Sequence, residues 1–201
     1  MKSFIYLASQ SPRRRQLLEQ LGIAHELLLP DADEDAESLE VVLPREAPLA
    51  YVQRVTQLKL DAALLRRQHR GLPDAPVLCS DTTVALGREI LGKPACLADA
   101  TRMLTLLSGQ THRVLTAVAL GTHAQRVQAV SVSRVTFAPM SAQQIQTYVA
   151  SGEPMGKAGA YAVQGRVAAH ISRISGSYTG IMGLPLFETA QLLARLGFEC
   201  S

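Results

Sequence analysis

Apolar and polar positions alternate in blocks along the chain, and the blocks predict its elements. Residues 4–8 are an apolar run that predicts a buried strand. Ser11 is placed to cap a helix with Pro12 at its first position, and Gly22 ends that helix after about residue 21. Residues 25–29 predict a second strand, and the acidic stretch 31–40 with the prolines after it predicts a loop. A helix is expected over 49–69, broken by Gly71-Leu72-Pro73-Asp74. Residues 76–86 predict another buried strand, with Gly87-Arg88 turning into 89–91. A helix over 98–107 closes at Ser108-Gly109, and 111–120 with 127–137 predict an antiparallel pair across Gly121-Thr122-His123. Ser141 caps a helix reaching 149. The glycine-, serine- and tyrosine-rich stretch 151–183 predicts tight turns, with strand-like runs at 161–163 and 167–174, before a closing helix over 186–196. Helices alternating with strands argue an α/β fold with a mixed sheet.

Composition narrows the class. A chain of 201 residues suits one domain, or two lobes sharing a core. Hydrophobic residues at 47% and charged residues at 18% fit a soluble globular protein that can build a core without staples. Trp is absent, aromatics are 4% and net charge is +3, which argues against a nucleic-acid partner. The apolar start is too short for a signal peptide or a membrane span, so no membrane partner is expected. The three cysteines, Cys79, Cys96 and Cys200, are far apart with no Cys-x-x-Cys, which argues against a disulfide framework or a structural zinc and for a reducing compartment, the cytoplasm. Arginines cluster at 13–15 and at 66–67 with Arg70 nearby, which suggests a local anionic partner.

The most informative stretch is Ser9-Gln10-Ser11-Pro12-Arg13-Arg14. Arg13 and Arg14 fall in the first turn of a helix, where the dipole is already positive, so each costs about 0.3–1 kcal/mol without compensation. A bound phosphate would compensate, gathered by free backbone N–H groups, a Ser hydroxyl and two guanidinium groups. The alternatives are a solvated basic face or partners in the acidic stretch 31–35. Asp81 ends an apolar run and is either a base or metal ligand, or a turn carboxylate capping Thr82 and Thr83. Glu34 is a metal-ligand candidate within an acidic run that is ordinarily only solvated. Lys59 and Lys93 are ordinarily surface residues, although Lys93 is pinned before Pro94. Gln164, beside Gly165, is either a strand-end amide or a reader of a base edge. Neither a phosphate-binding Gly-x-x-x-x-Gly-Lys-Ser/Thr loop nor a dinucleotide fingerprint is present, so phosphate handling needs another architecture.

Taken in order, these segments resemble the Maf family of nucleotide pyrophosphatases. The resemblance is carried by Leu7-Ala8-Ser9-Gln10-Ser11-Pro12-Arg13-Arg14, Asp33-Glu34, Lys59, Ser80-Asp81-Thr82, Gly92-Lys93-Pro94 and Ser108-Gly109-Gln110-Thr111-His112. It continues through Lys157-Ala158-Gly159-Ala160-Tyr161, Val163-Gln164-Gly165, Gly176-Ser177-Tyr178 and Gly183-Leu184-Pro185. It implies a single domain over residues 1–201 with an elongated mixed β-sheet, flanking helices and two lobes around a central cleft, similar to inosine triphosphate pyrophosphatases. It implies a divalent cation, magnesium or manganese, and often a homodimer. By position, Asp81 resembles the proton acceptor, Glu34 and Asp81 metal ligands, and Arg13, Arg14, Lys59 and Lys93 a triphosphate clamp, with Ser9 and Ser11 as phosphate contacts. Arg13-Arg14, Asp81-Thr82 and Gln164 resemble the specificity signature of the subgroup acting on dTTP and UTP. The function so implied is hydrolysis of a nucleoside triphosphate to monophosphate and pyrophosphate, a housecleaning role. A non-catalytic regulator of septum formation acting through a partner protein is the alternative.

Overall fold

The computed structural model describes residues 4–31, 34 and 38–199. Asp33 and Asp35 of the acidic run, and Cys200, lie outside the described residues. In chain order the elements begin with β1 (Ile5–Leu7), α1 (Pro12–Gln20) and β2 (His25–Leu27), then a 3-10 turn at Ser38–Glu40. There follow α2 (Pro48–His69), β3 (Val77–Leu86), β4 (Glu89–Leu91), α3 (Leu97–Leu107), β5 (Thr111–Gly121), β6 (Arg126–Phe137) and α4 (Ala142–Ala150). Two 3-10 turns, Ala158–Ala160 and Arg166–His170, precede β7 (Ile171–Ser175), α5 (Tyr178–Met182) and α6 (Leu186–Arg195).

The strands form one open mixed sheet in the order β2-β1-β3-β5-β6-β7, with β4 also on β3. β1 runs parallel to both β2 and β3, and the other pairs are antiparallel. The long β5–β6 ladder is the expected pair. Its turn is tied by the Thr122 hydroxyl, which accepts from the backbone of Ala124 and Gln125.

Side-chain parity along β3 sets up everything that follows, because successive residues of a strand point to opposite faces. Val77, Cys79 and Ala85 face α2, packing with Leu60, Ala63 and Val55. Leu78 faces the other way, among Leu17 and Leu18 of α1 and Leu192 and Leu193 of α6. Val84, on that second face, packs with Leu104 and Leu107 of α3 and Tyr148 of α4.

One edge of β3 is interrupted. β1 pairs with it only as far as Leu7↔Leu78, and β4 joins only from Val84↔Leu91. Between them, residues 79–83 have no ladder partner on that side among the described residues, while β5 covers the other side throughout. The chain leaving β1 turns there into the N-terminus of α1, a switch point of the kind where α/β sheets bind ligands.

Two expected strands are corrected. Residues 161–163 pair with no strand among the described residues, because Gly159 and Ala160 take left-handed backbone (φ 67° and 60°) just before them and Gly165 N–H closes a turn onto Ala162 just after. Residues 166–170 wind into a 3-10 turn anchored by buried Val167, and pairing starts only at Ile171, opposite Phe137. The glycine-rich stretch also holds the unforeseen short helix α5, capped by the Ser177 hydroxyl accepting from Gly180 N–H and ended by left-handed Gly183.

Candidate active site

The interrupted edge of β3 opens onto a cleft of about 810 Å³. Its lining includes Ser9, Ser11, Arg13, Arg14, Glu34, Lys59, Asp81, Thr82 and Lys93, which are nearly all the site residues expected from the sequence. Gln164 is the exception: it is exposed and outside the lining, although Val163 beside it is within.

Parity splits the site into two halves. Asp81 has the odd parity of Cys79 and Ala85, so it faces α2 and meets Lys59, whose Nζ donates to Asp81 Oδ1 at 2.5 Å. The same ammonium donates to Glu40 Oε1 at 2.8 Å. Lys93, on the loop after β4, reaches Glu40 as well, at 3.2 Å to Oε1 and 3.1 Å to Oε2. Burial raises the Glu40 carboxyl, but Lys59 and Lys93 outweigh it and hold the group below its ordinary range. Asp81 itself is buried, 7% exposed, so its ion pair with Lys59 is the partner that makes a strand-interior carboxylate tolerable.

Thr82 points to the opposite face and meets Arg14. The guanidinium donates from Nη2 to Thr82 Oγ1 (3.3 Å), from Nη1 to Ser9 Oγ (3.4 Å) and from Nε to the Gly183 carbonyl (2.7 Å). Thr116 Oγ1 lies 2.7 Å from the Gly180 carbonyl and 3.1 Å from Thr82 Oγ1. A carbonyl only accepts, so the single Thr116 proton goes to Gly180 and the Thr82 hydroxyl donates to Thr116. Thr82 is thereby held with its oxygen toward Arg14. Gly183 sits at φ 119°, and a Cβ there would lie 3.4 Å from Arg14 Nε, so the close approach of backbone to guanidinium suits glycine. Burial lowers the Arg14 guanidinium from its ordinary value, opposed chiefly by Asp81.

The N-terminus of α1 forms the third wall. The Ser11 side chain caps it, accepting from Arg14 N–H, while Ser9 Oγ accepts from Ser11 N–H at 3.2 Å. Arg13 lines the cleft from this first turn. Lys157 lines the same cleft; its ammonium is held by the Glu153 carbonyl, and burial and then the charge of Arg13 lower its pKa.

Among the described residues of the acidic run, Asp31 and Glu34 pair with arginines of the second cluster and not with Arg13 or Arg14. Glu34 takes a forked pair from Arg66 (2.7 and 2.5 Å), which holds its carboxyl down at about 2, and Asp31 pairs with Arg70 at 2.6 Å. Arg67 donates to the Ala75 carbonyl and pairs with Asp74. The second arginine cluster, expected to meet an external anion, is therefore spent on tying the chain to α2. His112 is buried, with Nε2 2.7 Å from the Tyr161 hydroxyl and the two rings edge to face, so Tyr161 is fixed from behind as a wall of the cleft.

Hard oxygen donors for a divalent cation are present in Asp81, Glu34 and Glu40. Among the described residues, no group of three or more His, Cys, Asp or Glu could hold an ion. Magnesium ordinarily takes one or two carboxylates and fills its shell with water and substrate phosphate, so this donor set fits it. Sequence reasoning passed over Glu40 and Lys157. Lys157 stood in a quoted motif without a role, and nothing marks Glu40 within an acidic run, because its importance comes from two lysines far away in the chain.

The chain matches the family model described as Maf-like protein over residues 4–196. It is 75% identical over 199 residues to the dTTP/UTP pyrophosphatase of Albidiferax ferrireducens, covering 99% of this chain and 100% of that protein. It is 69% identical over 196 residues to the dTTP/UTP pyrophosphatase of a Polaromonas species, covering 98% of this chain and 97% of the relative. It is 65% identical over 199 residues to the protein of that name in Cupriavidus metallidurans, covering 99% and 100%.

Proposed function

The chain belongs to the Maf family, and on that premise we propose that it hydrolyses dTTP and UTP to the nucleoside monophosphate and pyrophosphate. The observation that carries the reading is the meeting of Arg13, Arg14, Lys59, Lys93 and Asp81 in one cleft at the open edge of β3. Cations on three walls around the Asp81 carboxylate suit a polyanion that must be both held and attacked. Identity above 60% along full length to proteins bearing the dTTP/UTP pyrophosphatase name supports the substrate class.

In this reading water attacks the α-phosphate in line and pyrophosphate leaves. Asp81 accepts the proton of the attacking water, and Lys59 fixes its carboxylate by holding Oδ1. Arg13, the N–H groups of the first turn of α1, and the Ser9 and Ser11 hydroxyls receive phosphate oxygens. Lys59 and Lys93 neutralise charge that develops on the leaving group. Asp81 with Glu34 or Glu40 would hold the divalent cation, magnesium or manganese, which supplies Lewis-acid stabilisation of the phosphates. Arg13, Thr82 and Gln164 choose the base. Thr82 is oriented by Thr116, and Gln164 stands outside the lining, next to Val163. The role is removal of surplus or modified pyrimidine triphosphates in the cytoplasm. No described helix is long and apolar enough to cross a membrane. A homodimer belongs to the same reading.

The test is pyrophosphate release from a panel of dTTP, UTP, CTP, GTP, 7-methyl-GTP and ITP, with magnesium and with chelator. Turnover of dTTP and UTP ahead of the others, lost on chelation, is expected. Preference for a purine triphosphate would overturn the substrate assignment.

A further inference from the structure

We propose that Glu40 is an internal counter-anion that trades places with a phosphate group of the substrate between Lys59 and Lys93. The inference rests on the reading of the cleft as a polyphosphate site and gives a role to a carboxylate that the chemistry above only offers as an alternative cation ligand.

Three separate elements meet at this point: the middle of α2 supplies Lys59, the loop after β4 supplies Lys93, and the 3-10 turn at Ser38–Glu40 supplies the carboxylate. Lys59 has three N–H donors and gives two of them to Asp81 and Glu40. Lys93 approaches both Glu40 oxygens. With Glu40 in place, the charges of Lys59, Lys93, Asp81 and Glu40 cancel, and the pair of lysines offers a triphosphate little net attraction. A phosphate whose oxygens accept from the same two ammonium groups would sit against the Glu40 carboxylate, and like charges at that range exclude one another. One anion must therefore replace the other.

The fold permits the exchange at small cost. The backbone of this segment is strapped to α2, since Tyr51 Oη donates to the Glu40 carbonyl at 2.9 Å and Arg54 Nη2 to the Val41 carbonyl at 2.8 Å. Only the Glu40 side chain has to swing away. Its competition weakens the hold on the triphosphate and, equally, on the pyrophosphate product, so its return to the lysines helps the product leave.

The experiment is titration calorimetry of inorganic pyrophosphate, with chelator and with magnesium, into the full chain and into Glu40→Gln, alongside dTTP kinetics. Loss of one partly exposed ion-pair competitor should tighten pyrophosphate binding roughly three- to tenfold. KM for dTTP should fall by a similar factor, and kcat should change less than KM. Glu46→Gln serves as the control, because it cuts another strap of the same segment, the Glu46–Arg54 pair, and leaves Glu40 in place; its pyrophosphate affinity should match wild type. If Glu40→Gln does not fold, Glu40→Asp, one methylene short of the lysines, should shift affinity in the same direction. Unchanged or weaker pyrophosphate binding in a folded Glu40 variant, or a gain equalled by Glu46→Gln, overturns the proposal. Failure of wild type to turn over dTTP or UTP would instead remove the assigned activity, and the pyrophosphate titration would still decide the exchange.

Discussion

Acid tests how deeply His112 is built into the wall of the cleft. Its ring is 1% exposed, its Nδ1 has no hydrogen-bond partner among the described residues, and Nε2 is committed to the Tyr161 hydroxyl. A proton added to this ring brings a charge into a site lined by Phe137 and Tyr161, and burial pushes the imidazole down to about 4 from an ordinary 6.5. The folded state therefore refuses a proton that the unfolded chain accepts below pH 6.5. The resulting stability is fully present above that pH and is lost as pH falls toward 4. Linkage over this window gives a loss of about 2 kcal/mol by pH 5 and about 3 kcal/mol by pH 4 from this one residue. Urea unfolding of wild type and His112→Gln at pH 7, 6, 5 and 4 isolates it. The glutamine costs a fixed amount for its changed packing, but it does not titrate, so the gap between the two proteins should close by those amounts on acidification. Carboxylates held low, such as Glu34 with Arg66, are lost further down in acid and in both proteins alike. Parallel stability curves for the two proteins between pH 7 and pH 4 would refute the reasoning.

Two further outcomes follow from particular contacts. Asp81→Asn should lower kcat for dTTP roughly 10²–10⁴-fold with a smaller change in KM, and a near-normal steady-state rate would remove Asp81 as the proton acceptor. Gly159→Ala should destabilise by roughly 2–5 kcal/mol, read as a lowered Tm, because it combines left-handed backbone strain with overpacking. The new Cβ would lie 2.8 Å from Val84 Cγ1 at φ 67°, so a variant as stable as wild type would mean that the turn before Tyr161 is not fixed as described.

Much of this protein was written in local signals. Ser11 and Pro12 start α1 and Ser141 starts α4, because caps and N1 prolines act within one turn of chain. The apolar run through β3 and the paired runs of β5 and β6 announced strands by their own periodicity. The residues that line the cleft were legible too, since Ser9 to Arg14, Lys59, Asp81 and Lys93 stand in ordered motifs. The strand assigned at 161–163 was not, because extended backbone becomes a strand only where another strand offers a ladder, and none of the described residues does so there.

Sequence alone determined which side chains have the chemistry to hold a polyanion and which segments coil or extend, because both are properties of single residues and their near neighbours. Tertiary structure decided which of those charges face the cleft. The gap between β1 and β4 leaves one edge of residues 79–83 without a ladder partner among the described residues, and strand parity then sends Asp81 toward Lys59 and Thr82 toward Arg14. Glu34 goes to Arg66 and Glu40 to Lys59 and Lys93, although both belong to one acidic run. Ion pairing is set by distance in space, and a run of like residues has no local feature that tells one carboxylate from the next.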